Sequence, residues 1–198
     1  MPDTLIKQFN EIVKLEKEAN HKLITYWQEN AIYASFEFWV MFGFLVIPLI
    51  LLFFKIDKTK IFQIGFFGYS FHVVFGYTDQ FGRNMGFWNY PYPLIPTLPG
   101  IALDSSLVPV IFMLIYQWSI NKEKNYYIYA TIAAAIFCFL FKPLLVSLGL
   151  FQLYGNSSFF HLFITLVGVI IIAKFMTDVF IWTQKKYADH TKRNRKST

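Results

Sequence analysis

Charge is what this chain has least of. Only 15% of its 198 residues are Asp, Glu, Lys or Arg, against about 25% in an average soluble domain. With 56% hydrophobic residues and a mean hydropathy of +0.42, that scarcity excludes a soluble globular domain, which cannot hide so much apolar surface. A single cysteine, Cys138, excludes an intrachain disulfide, and its apolar surroundings read as those of a small packing residue. Residues 1–35 lack an apolar h-region followed by a small-residue cleavage site, so insertion is expected to rely on the first spanning helix. No Walker A loop, H-E-x-x-H, Rossmann glycine pattern or G-x-S-x-G is present. The "GYSFH" around Ser70 lacks the second glycine of a nucleophile elbow and lies inside an apolar run. No internal repeat is visible, which weighs against an inverted-repeat transporter. Alternating ten-residue strands are also missing, which excludes a membrane barrel.

What is present is a series of apolar runs of about 16 to 25 residues, the length a helix needs to cross a bilayer. The expected fold is all-α: a polytopic membrane bundle of about five transmembrane helices with an N-terminal amphipathic helix. In residues 1–35, Leu5, Phe9, Ile12, Ala19, Leu23 and Tyr26 recur at three- and four-residue steps between charged positions. Such a helix lies on the bilayer surface or packs on a protein partner. The bundle is expected over 36–183, with spans near 36–54, 61–77, 105–120, 126–148 and 159–182. Pro48 interrupts the first and Lys142-Pro143 the fourth. A basic tail, 184–198, carries Lys185, Lys186, Lys192, Arg193, Arg195 and Lys196. After a spanning helix such a cluster reads as a cytoplasmic anchor on anionic lipid, not as a nucleic-acid site. The loops after spans one and three, together with this tail, hold eleven Lys/Arg against five on the other side. The positive-inside rule then predicts a multi-pass protein of the cell membrane, N-terminus outside and C-terminus cytoplasmic.

Ionisable residues in spanning helices are site candidates because burying them is costly. In span two, Gly65, Gly68, His72, Gly76 and Asp79 share one helix face. The spacing fits either a tight glycine packing stripe or a proton or ligand site. Asp104 precedes "SSLVPV" and reads as a helix cap, with Pro109 bending the first turn. The rival placement sets Asp104 against Asp79 or Arg83 at the same depth. An Arg83 held between the two acids makes a lock, the favoured arrangement. Without it the two carboxylates make an acid/base pair. The catalytic candidates are therefore Asp79, Asp104 and His72, and the binding candidates are Arg83, Trp88, Tyr90 and His161. Lys174 and Asp178 are spaced to pair. His72 and His161 lack metal-ligand spacing, so neither metal nor cofactor is expected.

The order Asp79, Gly86, Trp88, Tyr90-Pro91, Asp104, Pro109, Tyr116-Gln117 is similar to the pattern of an uncharacterised family of small multi-spanning membrane proteins of endospore-forming bacteria. The resemblance covers roughly residues 36–185 and leaves the N-terminal helix outside. It implies a helical bacterial inner-membrane protein and carries over no catalytic residue. The leading functional expectation is a structural, interaction or accessory membrane component, with a protein partner on the N-terminal helix. The alternatives are a membrane enzyme acting on a lipid or isoprenoid through Asp79 and Asp104, with Trp88 and Tyr90 lining its pocket, and a small-solute or proton-coupled carrier using His72 and Asp79.

Overall fold

The computed structural model describes residues 3–194, with side chains through residue 188. The chain is helical almost throughout. Helix α1 is Asp3–Glu29, α2 is Phe36–Lys55, and α3 is Ile61–Asn84. After a two-residue strand β1 (Trp88–Asn89) and a proline-rich loop come α4 (Leu103–Asn121) and α5 (Tyr126–Ser147). A two-residue strand β2 (Gln152–Leu153) precedes the long α6 (Phe159–Asn194). Among the described residues four helices, α2, α4, α5 and α6, are long and apolar enough to cross a membrane, and the protein is a multi-pass membrane protein. Helix α3 has 24 residues. At 1.5 Å per residue it is about 36 Å long, enough to cross a hydrocarbon core of about 30 Å. It carries Gln63, His72, Asp79, Gln80 and Arg83, and it packs chiefly against α6 and α4.

Local chemistry explains the turns. The α1 helix stops where Asn30 Nδ2 donates to the Tyr26 carbonyl at 2.8 Å and Ala31 adopts a left-handed backbone (φ 44°). Ser35 then caps α2: its Oγ accepts from the Phe38 N–H at 3.1 Å and donates to the Ile32 carbonyl at 2.8 Å. The loop between α2 and α3 is tied to the end of α4. Gln117 accepts from the Asp57 N–H at 2.7 Å and donates to the Lys55 carbonyl at 2.9 Å. Lys60 Nζ donates to Asn121 Oδ1 at 2.6 Å. This end bears Lys55, Lys58, Lys60, Lys122 and Lys124 and is called the lysine end below. The opposite end carries residues 85–102 and 148–158 and is called the loop end.

At the bundle centre, rings of α3 stack on rings of α4: Phe67 on Tyr116 with centroids 4.3 Å apart, and Phe71 on Phe112 at 4.7 Å. A Cβ at Gly68 would overlap Met113, so that glycine is a contact point. The expected glycine stripe does not extend further along α3. A Cβ at Gly65 or Gly76 would meet nothing within 4 Å.

Two interior prolines share one local solution. In α4 the Val108 N–H bonds the Leu103 carbonyl, five residues back, and in α5 the Lys142 N–H bonds the Phe137 carbonyl. In that register the carbonyls of Asp104 and Cys138 fall to residues 109 and 143. Both are prolines and have no N–H to give. Each helix therefore widens by one π turn ahead of its proline and continues. Lys142-Pro143 thus reshapes the fourth span without ending it.

The loop end is closed by chain crossings. β1 pairs antiparallel with β2, Trp88 opposite Leu153 and Asn89 opposite Gln152. Tyr26 OH donates to the Pro91 carbonyl at 3.2 Å and Trp27 Nε1 to the Pro93 carbonyl at 3.0 Å, so the end of α1 rests on the proline loop. The rest of α1 buries no residue. In α6, Lys174 and Asp178 pair at 2.5 Å as their spacing predicts. The tail residues Lys192, Arg193, Arg195 and Lys196 lie outside the described side chains.

Candidate functional site

Three ionisable side chains are buried together near the loop end: Asp79 on α3 (4% exposed), Asp104 on α4 (7%) and Lys142 on α5 (4%). Arg83, one turn beyond Asp79 and largely covered, completes the group. Two acids and two bases make a formally neutral cluster, which is how buried charge is tolerated at all.

Asp79 is the hub. Its Oδ1 accepts from Trp88 Nε1 and from Tyr90 OH, each at 2.9 Å, and its Oδ2 accepts from Arg83 Nε at 2.7 Å. The chain reaches this arrangement through two glycines. Gly86, in the left-handed region (φ 70°), turns the backbone back after α3. Gly82 leaves room for the Trp88 ring, which a Cβ there would overlap. Tyr90 is fully enclosed. Burial first, then the neighbouring Asp79 and Asp104 charges, push its phenol well above the usual tyrosine range, so it is a permanent donor to Asp79.

Asp104 does not cap α4. The Asp104 N–H already bonds the Gly100 carbonyl at 2.9 Å, so the residue lies inside the helix and its carboxyl turns toward Asp79. A Cβ on Gly100 would sit 2.5 Å from Asp104 Oδ2 and 2.7 Å from Asp79 Oδ2. The two oxygens are thus no further apart than the sum of those distances. Asp104 Oδ1 is buried with no hydrogen-bond partner among the described residues.

Arg83 does not stand between the acids. It binds Asp79 and turns its NH2 group to Gln80 Oε1 at 2.6 Å, because the i, i+3 and i, i+4 neighbours on its own helix are nearer than α4. The lock therefore closes on Asp79 alone. The cation facing the pair from the opposite helix is Lys142. Its Nζ lies 3.5 Å from the centre of the Phe151 ring and donates to Tyr90 OH at 3.4 Å. A hydrogen-bonded chain runs from Lys142 through Tyr90 to Asp79.

His72 does not reach Asp79. Its Nδ1 lies 2.7 Å from the Asp104 carbonyl. A carbonyl only accepts, so Nδ1 carries the proton. His161 lies at the start of α6, 3.0 Å from Ser158 Oγ and away from the cluster. Among the described residues no three His, Cys, Asp or Glu side chains gather as metal ligands.

A cleft of about 740 Å³ opens at the loop end between the end of α3, the β2 turn and the start of α6. Its walls include Phe81, Phe87, Trp88 and Tyr154, with His161 and Thr165 on the α6 side. Three of its lining residues, Thr78, Trp88 and Thr165, also line a much smaller cavity of about 30 Å³ that reaches Asp79, Cys138 and Lys142. The sequence reading placed Trp88, His161, Asp79 and Tyr90 among its candidates but passed over Lys142. An intramembrane lysine inside an apolar run was the available signal. The adjacent Pro143, which reads as a helix interruption, hides that signal.

Fold and site together define a multi-pass helical membrane protein with a neutral buried charge cluster beside an apolar cleft. Compared with protein-family models, with curated proteins and with solved structures, the chain matches none.

Proposed function

We propose that this protein holds an apolar, membrane-dissolved molecule of the lipid or isoprenoid class in its loop-end cleft. The observation that carries the reading is the sharing of Thr78, Trp88 and Thr165 between the cleft and the small cavity over Asp79 and Lys142. The cleft has the volume of small-molecule sites, about 300–1,000 Å³. Its walls are mainly aromatic and apolar, and its inner end leads to a few polar groups, the usual composition of such sites. Asp79, with three donors, serves as the fixed anchor of the Trp88 wall. Lys142, which borders the small cavity and has one long hydrogen bond, is the group left for acid/base work on a bound molecule.

The charge bias supports a cell-membrane orientation with the lysine end and C-terminus cytoplasmic and the loop end outside. The test of function is lipid extraction and native mass spectrometry of the purified full chain. The native protein is expected to carry an apolar lipid. A Thr165→Trp variant, which fills the shared wall, is expected to lose it at unchanged yield. Equal lipid in both proteins would overturn the reading.

One observation favours a second role. No residue of α1 is buried, and Leu5, Phe9, Ile12 and Leu15 are all exposed. That face suits the bilayer surface or a partner helix, as an accessory membrane component would need. Deleting residues 1–25 is expected to leave lipid retention intact and to abolish any co-purifying partner.

A further inference from the structure

We infer that the cleft selects an uncharged lipid bearing a single small oxygen head, an alcohol or carbonyl, and that Lys142 is the residue that binds this oxygen. The inference rests on the proposed lipid site and names its ligand class.

Charge is the first argument. The residues lining the cleft include no Asp, Glu, Lys or Arg, and His161 is their one ionisable imidazole. A phospholipid or an isoprenoid phosphate would bring one or two negative charges to a wall with no fixed cation. Phosphate sites are usually built from arginine forks or lysines, whereas the start of α6 at the cleft edge offers only a helix dipole's partial charge. The floor does not supply the missing charge. In the lining of the inner cavity Lys142 is matched by Asp79, so an added anion meets a carboxylate as well as a cation. An added cation is no better placed, since Arg83 and Lys142 already face the acids. A neutral head leaves the balance intact.

Size is the second argument. The inner cavity measures about 30 Å³. A site of that size takes about one water-sized group. A hydroxyl or carbonyl oxygen fits it, whereas a phosphoryl group with its four oxygens does not. The larger cleft, at about 740 Å³, has room for the hydrocarbon.

The third argument is donor capacity. An ammonium has three N–H donors. Lys142 Nζ has one long hydrogen bond, to Tyr90 OH at 3.4 Å, and otherwise faces the rings of Phe151, Tyr90 and Phe137. It also borders the inner cavity. It is therefore a buried donor with capacity to spare, on the border of a space the size of one oxygen. Asp79 borders the same cavity, but its oxygens are already held by Trp88, Tyr90 and Arg83. It shapes the site without offering a free group.

The test is equilibrium binding of two radiolabelled probes to the full chain in detergent micelles: a C20 isoprenoid alcohol and its monophosphate. The native protein is expected to bind the alcohol at least ten times more tightly than the phosphate. Lys142→Met should weaken the alcohol about tenfold, and Lys142→Gln, which keeps an N–H donor, should recover much of the loss. Equal or tighter binding of the phosphate overturns the charge argument. Unchanged alcohol affinity in a folded Lys142→Met protein overturns the role of Lys142. If that variant fails to fold, the probe comparison on the native chain still decides the ligand class, and Lys142→Gln alone decides the residue, with loss of the alcohol or unchanged affinity counting against it. Binding of neither probe to the native chain rejects the lipid site itself, a different outcome from phosphate preference.

Discussion

His72 Nδ1 lies 2.7 Å from the carbonyl oxygen of Asp104, an oxygen whose π-turn partner position, 109, is a proline. A side chain of α3 thus satisfies a backbone group that α4 cannot satisfy itself. The same bond fixes the π turn that points Asp104 inward. Removing one partner of a buried hydrogen bond costs about 1–3 kcal/mol. His72→Phe is expected to lower stability by that amount, measured as the thermal midpoint in detergent. Pro109→Ala restores an N–H at position 109, so His72→Phe should cost much less in that background. A double-mutant cycle with no coupling contradicts this explanation of the turn.

Asp79 accepts from Trp88, Tyr90 and Arg83 at once. Asp79→Ala leaves a buried guanidinium and two buried donors unpaired, and breaking a buried pair in this way costs about 3–5 kcal/mol. The expected outcome is loss of membrane accumulation. Asp104→Asn, with one oxygen already unpartnered, should accumulate normally. Quantitative immunoblots of membrane fractions separate the two cases.

Much of this was legible in the chain. The i, i+4 spacing predicts the Lys174–Asp178 pair, because helix geometry alone brings such residues together, and the same spacing draws Arg83 to Asp79 instead of to a place between the acids. Placing Asp104 beside Asp79 was one of two readings that the sequence left open. What resisted reading depends on the third dimension. Trp88 reaches Asp79 only because Gly86 turns the chain and Gly82 makes room, and neither fact has a spacing signature. Lys142 joins from a helix 52 residues after Tyr90, through a π turn that periodicity does not encode. The glycine stripe is in close contact at Gly68 alone of its three glycines, for a related reason. Small residues at one spacing mark a face, but only packing tells whether a neighbour covers it.

That difference is itself testable. A Cβ at Gly100 would press on both Asp79 and Asp104. Gly100→Ala is therefore expected to destabilise by about 1–3 kcal/mol, as overpacking does. Gly76→Ala meets open space and should be tolerated without loss. Thermal midpoints of the two variants check both; equal effects would contradict the packing described.

Tyr90 supplies a pH dependence. Burial and the adjacent acids raise its phenol well above the usual tyrosine value of about 10. A folded-state value above the unfolded one contributes stability that is present below the unfolded value and lost as pH rises toward the folded one. The thermal midpoint should therefore fall as pH passes 10. Tyr90→Phe should be less stable at neutral pH by about 1.5–3 kcal/mol, having lost a bond to a charged acceptor. Its alkaline decline should be shallower. Parallel slopes for the two proteins would count against this assignment.

The most direct measurement for the central claim is photo-crosslinking with an uncharged long-chain alcohol that carries a diazirine, followed by peptide mapping. The account predicts adducts within residues 78–88 and 154–165, competed away by unlabelled alcohol and absent in Thr165→Trp. Adducts spread over the exposed faces of α2 and α6, with none in those two segments, would contradict a lipid site in the cleft.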